Sequence, residues 1–207
     1  RDGGALLVAS GPDYASDDSL WNTPLADVLP AAPTGRVIEK PFLPRVTDLG
    51  GRHPVTRGLE GADTEPPRWS RWFRQIEVDK PSGETILKGV DDDPLLVLDR
   101  EGKGRVALLL SDHIWLWARG YEGGGPHVDL LRRLAHWLMK EPDLEEEALR
   151  ATARGATLVI DRQTMQETIG PVTVIAPSGA RRTLTLAPDA PGRFHGEMPA
   201  DEIGLWR

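Results

Sequence analysis

The chain contains no cysteine. This excludes a disulfide framework, thiolate metal sites and a cysteine nucleophile, and it fits an oxidising compartment. Long apolar runs are missing too: no stretch approaches the roughly 18 residues a membrane-spanning helix needs. Clusters of Lys and Arg are also lacking. The formal charge is −7, and residues 151–207 hold six basic and six acidic side chains, so the whole acidic excess lies in residues 1–150. Nucleic acid is therefore not expected as a partner, because phosphate binding draws on clustered cations. The five histidines include no i, i+4 pair, and Asp91-Asp92-Asp93 lacks the alternate ligand spacing and closing glutamate of a calcium loop. Neither a metal nor a cofactor is expected. Internal repeats and low-complexity tracts are absent.

What is present divides near residue 150. Ala5-Leu6-Leu7-Val8-Ala9 is a short apolar run after a glycine pair and reads as a buried strand, broken by Ser10-Gly11-Pro12-Asp13. Residues 30–68 carry seven prolines and read as loops, with one short strand near Val37-Ile38. Trp72 to Val78 alternates like a half-buried strand. The continuous runs Pro94–Leu98 and Gly104–Leu110, joined by Asp99-Arg100-Glu101-Gly102-Lys103, predict a hairpin. From Val128 to Lys140, Leu130, Leu131, Leu134, Trp137, Leu138 and Met139 share a helical face, with Pro142 as a stop. Leu144–Leu149 reads as an acidic, solvated connector. Beyond it the runs 157–160, 172–175, 183–186 and 203–206, separated by Gly and Pro turns, predict short strands of an incomplete, immunoglobulin-like β-sandwich.

Several segments together resemble the class I glutamine-amidotransferase-like superfamily, in its trehalose-utilisation (ThuA-like) branch. Gly3-Gly4-Ala5-Leu6-Leu7-Val8 is similar to the glycine-led strand before that family's elbow. Arg52-His53-Pro54-Val55-Thr56-Arg57-Gly58-Leu59 is similar to its HPVT-GL segment, and Gly102-Lys103-Gly104-Arg105-Val106 with His113 to its GkGRV strand and crest. Segments 110–120 and 136–142 resemble those of large membrane-anchored proteins of Gram-negative bacteria. The resemblance implies a doubly wound, mostly parallel α/β sheet over residues 1–150, with 151–207 as the partial sandwich. It also implies an extracytoplasmic, periplasmic setting, with membrane attachment only through segments outside residues 1–207. Because the chain opens with Arg1-Asp2-Gly3-Gly4 directly at the elbow strand, the strands before it are expected to be missing, or supplied by another copy in a homodimer.

The elbow reads Ala9-Ser10-Gly11-Pro12 in place of a cysteine, which excludes glutaminase chemistry. A hydrolase variant would pair Ser10 with His113 and an acid, Asp112 or Asp13. Against it stand the lack of a G-x-S-x-G pattern and the missing amide hydrogen of Pro12; Ser10 as a turn residue is the plainer reading. Seven tryptophans are present, and Trp69, Trp72, Trp115 and Trp117 lie in Arg-bearing segments near Arg71 and Arg119. Trp beside Arg is the composition of interface anchors; a structural core and a carbohydrate platform are the competing readings. Alternation of Trp115 and Trp117 would put both on one face of a strand. His53 would order its loop or, less simply, bind a ligand. The expectation is a noncatalytic interaction or scaffolding domain of an envelope protein that binds a protein partner or itself, with a hydrolase or small-ligand site at Ser10/His113 as the alternative.

Overall fold

A computed structural model describes residues 2–207, and Arg1 lies outside the described residues. The chain forms two compact units, Arg1–Leu144 and Glu145–Arg207.

In the first unit the strands are β1 (Ala5–Ala9), β2 (Pro33–Ile38), β3 (Arg45–Val46), β4 (Gln75–Val78), β5 (Glu84–Lys88), β6 (Pro94–Glu101) and β7 (Gly104–Leu109). The helices are α1 (Asp48–Arg52), α2 (Ile114–Ala118) and α3 (His127–Leu138). One sheet runs β1-β7-β6-β5-β3, and β2 pairs with β4 in a second. Only β1 with β7 is parallel; the β7–β6, β6–β5, β5–β3 and β2–β4 pairings are all antiparallel. The expected doubly wound, mostly parallel sheet is therefore wrong. The reason lies in the connections. Only Gly102 and Lys103 separate β6 from β7, Gly102 has φ +60°, and so short a link can join antiparallel strands only. The predicted 94–110 hairpin forms, and β5 and β3 continue the antiparallel pairing beyond it.

The continuous apolar runs of the hairpin have a plain cause: both of its faces are buried. Leu96, Leu98, Ala107 and Leu109 face a cluster with Leu130, Leu134, Trp137 and Leu138 of α3. Val97, Leu108 and Leu110 face Val8, Tyr14, Leu29 and Ile76. α1 is pressed against β5 so closely that a Cβ on Gly50 would lie 2.2 Å from the Ile86 carbonyl oxygen, and Thr47 caps it by accepting the Gly50 N–H.

Trp115 and Trp117 do not share a strand face. They lie on α2, where residues two apart point about 200° apart, so Trp117 is buried while Trp115 is 54% exposed. Trp117 packs against Trp69 and Trp72 at centroid distances of 5.2 and 4.9 Å, and all three are core residues.

The second unit contains β8 (Ala148–Arg154), β9 (Thr157–Gln163), β10 (Val172–Ile175), β11 (Arg181–Leu184), β12 (Ala187–Ala190) and β13 (Arg193–Pro199). They form an antiparallel sheet β12-β13-β9-β8 and a ribbon β10-β11, with Leu158, Ile160, Val174, Leu186 and Phe194 clustered as a core. Part of the expected connector is thus the start of strand β8, residues 187–199 supply two strands not predicted, and residues 203–206 form no strand.

The two tryptophans of α2 provide a test. Trp117→Ala should cost about 3–5 kcal/mol in urea unfolding, as core aromatic truncations do, whereas Trp115→Ala should stay within about 0.5 kcal/mol of the parent. Equal effects would contradict the placement of α2.

Candidate functional site

β1 and β7 end side by side, and the chain leaving each of them forms a crest. Ser10 extends the parallel ladder, its amide donating to the Leu109 carbonyl at 2.8 Å. Gly11 follows, and a methyl group placed on it would sit 3.6 Å from the Asp112 carboxylate. β4 and the residue before it come alongside: the Ile76 amide donates to the Leu110 carbonyl, and the buried Ser111 hydroxyl donates to the Arg74 carbonyl at 2.7 Å while accepting the His113 amide at 3.1 Å. Ser10, Asp112 and His113 are thus brought to one crest. Asp13 lies on the exposed turn Pro12–Ala15.

The hydrogen bonds decide what this crest can do. The Ser10 hydroxyl, on a buried residue, donates its proton to the Leu109 carbonyl at 2.9 Å. His113 Nδ1 accepts the Phe73 amide at 3.1 Å, so the proton of the neutral ring is on Nε2, which lies 3.7 Å from Asp112 Oδ1. Asp112 Oδ2 accepts from Arg74 at 3.1 Å, and Arg74 Nε lies 3.4 Å from Glu39. A serine triad needs the imidazole's free lone pair on the hydroxyl and its N–H on the acid. Here the lone pair is occupied by a backbone amide and the hydroxyl proton by a backbone carbonyl. Burial pushes the His113 pKa down, outweighing the opposing effect of Asp112, and so favours this neutral arrangement.

Around His113 runs a chain of rings. Trp115 meets His113 at 6.4 Å, His113 meets Phe73 at 6.5 Å, and Phe73 meets Tyr121 at 5.7 Å. The Arg71 guanidinium stands 5.9 Å from the Phe73 centroid and is clamped by Glu122, whose carboxyl that pairing holds down at about 2. Of the aromatic and cationic candidates from the sequence, Trp115 and Arg71 lie here. Arg119 is exposed at the C-terminal end of α2, while Trp69, Trp72 and Trp117 lie in the core. Phe73, Tyr121 and Glu122 went unrecognised; the Tyr-Glu pair at the head of the glycine run 123–125 was the available signal.

His53 is fully buried. Its Nδ1 accepts the Val55 amide at 3.2 Å, ordering the loop, and its ring lies 6.0 Å from that of Trp137. Arg105 reaches the same tryptophan from the other motif, its guanidinium 4.9 Å from the ring, with a hydrogen bond to the Trp137 carbonyl. Two segments that carried the resemblance therefore converge on α3, in the core. No group of three or more His, Asp or Glu side chains among the described residues could hold a metal ion.

No protein-family model matches the sequence, and no curated protein matches it. Among solved structures the chain is similar to a cytoplasmic protein of Salmonella typhimurium, with a TM-score of 0.52 and 22% identity over 66% of this chain and 56% of that one. A second cytoplasmic protein, from Salmonella typhimurium LT2, gives 0.49 and 22% over the same shares, and a β-galactosidase of Rahnella sp. R3 gives 0.38 and 18% over 85% of this chain and 25% of that one. The chain thus spans little more than half of the first of these. At this identity that likeness concerns the fold alone. No helix among the described residues is long and apolar enough to cross a membrane.

His113 gives the site a pH dependence of known sign. Its pKa is lowered from 6.5 on folding, so the unfolded chain binds the extra proton more readily. The stabilisation is complete above 6.5 and is lost as pH falls through the folded value. In two-dimensional NMR the His113 ring should titrate below 6.5. A midpoint above 6.5 would contradict the Nδ1 acceptor role.

Proposed function

We propose that the first unit is a noncatalytic recognition module that binds a protein partner through the crest at the ends of β1 and β7. The observation that carries this reading is the ring chain Trp115–His113–Phe73–Tyr121, whose two ends are exposed, with Arg71 clamped beside it. Rigid exposed aromatics flanked by an immobilised arginine have the composition of interface hot spots, because they bury much apolar area at little entropic cost. The occupied hydrogen-bonding groups of Ser10 and His113 speak against the alternative of a hydrolase at this crest. The extracytoplasmic, membrane-tethered setting is carried into this proposal from the sequence, with the lack of cysteine in its favour; the cytoplasmic location of the Salmonella protein describes that protein alone.

A photo-crosslinking residue at position 115 should give discrete adducts in cells, whereas one at Val128, more exposed still on α3, should give none. Turnover of p-nitrophenyl acetate should match buffer and be unchanged in Ser10→Ala. Turnover lost in both Ser10→Ala and His113→Ala would replace this reading by the hydrolase.

Self-association is favoured by one separate observation. β1 stands at the sheet edge among the described residues, with Leu7 43% exposed, and an open edge is a template for pairing. Sedimentation at low micromolar concentration should show a dimer that Leu7→Lys shifts to monomer. A concentration-independent monomer would end this second reading.

A further inference from the structure

The two edges of the sheet β12-β13-β9-β8 are built differently. β12 has four residues, contains Pro188 and breaks register between Pro188 and Ala190. These are the usual protections of an edge against unwanted pairing. β8 has none of them. It runs seven residues in unbroken register with β9, from Ala148 opposite Gln163 to Arg154 opposite Thr157, and is exposed at six of its seven positions.

The two faces of β8 also differ. Leu149, Ala151 and Ala153 point to the core side and, with Val172, Val174 and Trp206, line an open apolar cleft of about 310 Å³. A second cavity of about 360 Å³ continues from it past Leu149 and Val172. Because Ala151 and Ala153 contribute little bulk, the cleft has room for large side chains arriving from outside. On the other face stand Arg150, which has Asp161 of β9 directly opposite, Thr152, and Arg154, which has Thr157 opposite. A strand added along β8 would place its residues alternately over the cleft and beside the arginines. Large apolar side chains fit the first set and acidic ones the second, since opposite charges across strands attract and like charges repel.

We propose that β8 accepts, as a fifth strand, an extended segment of a partner protein in which large apolar residues alternate with Asp or Glu. A second copy of β8 fits less well. Centred on Thr152 it sets Arg150 against Arg154, and centred on Ala151 it offers the cleft little but alanines. This site is separate from the crest and does not rest on the reading given for it.

The test uses the full chain, ¹⁵N-labelled, and a nine-residue peptide in which Glu alternates with Leu and Phe. Saturable amide shifts are expected at residues 148–154 and 172–174 and at the Trp206 indole. A scrambled peptide of the same composition, and one with Lys for Glu, should each bind roughly tenfold more weakly, on the scale of two cross-strand charge pairs. The double variant Arg150→Glu/Arg154→Glu, altering exposed positions, should reverse the preference towards the lysine peptide. Ala151→Phe, which fills the cleft from within, should abolish binding. The proposal is overturned if millimolar peptide leaves residues 148–154 unshifted or if the scrambled peptide binds equally. A dimer that survives Leu7→Lys but is lost in Ala151→Phe would also overturn it, by making a second copy the occupant.

Discussion

The hairpin of β6 and β7 is the constraint from which the first unit follows. Its two-residue link, with Gly102 at positive φ, forces the strands antiparallel, and its apolar runs then present one row of side chains to each side of the sheet. Such a hairpin cannot stand with either face in water: each fully buried Leu or Val is worth about 1.5–3 kcal/mol relative to exposure. Everything else in the unit covers one face or the other. α3 and the tryptophans cover one side. The turn around Tyr14, the loop through Leu29 and β4 cover the other.

The same constraint accounts for the motif residues. His53 and Arg105 are polar groups held within a hydrophobic layer, which is tolerable only where their hydrogen bonds and charge are met. Trp137 answers part of that need, through its ring for both residues and its carbonyl for Arg105. Segments that read as family signatures thus serve packing, and their presence says little about chemistry. A fold supports many functions or none, and only the groups at a site decide between them.

At the crest, the groups that could react are held by the backbone. Ser10 and Ser111 donate to the Leu109 and Arg74 carbonyls, and His113 accepts from Phe73. Each bond ties one chain segment to another, so the polar side chains there close the open ends of the sheet. The exposed aromatic rim around them is what remains available to a partner.

Local features of the sequence were legible wherever neighbouring residues decide the outcome. Period and turn chemistry located β1, the β6–β7 hairpin, the strand at Val37-Ile38 and α3, whose buried Leu130, Leu134, Trp137 and Leu138 follow the helical repeat. No local spacing brings Ser10 together with Asp112 and His113; the parallel pairing of β1 with β7 does. Tertiary structure alone decided the rest. A continuous apolar run is the same signal whether both faces of a parallel or an antiparallel strand are buried, so the direction of the pairings beyond the β6–β7 hairpin was hidden. Trp115-Leu116-Trp117 satisfies a two-residue period as well as a short helix does, and only packing against Trp69 and Trp72 put one tryptophan inside and left the other out. The ring chain of the crest joins residues 73, 113, 115 and 121, which no local pattern links. It exists because the loop before β4 and the loop after β7 are bound to the same sheet end by the Ser111 hydroxyl and the Ile76 amide.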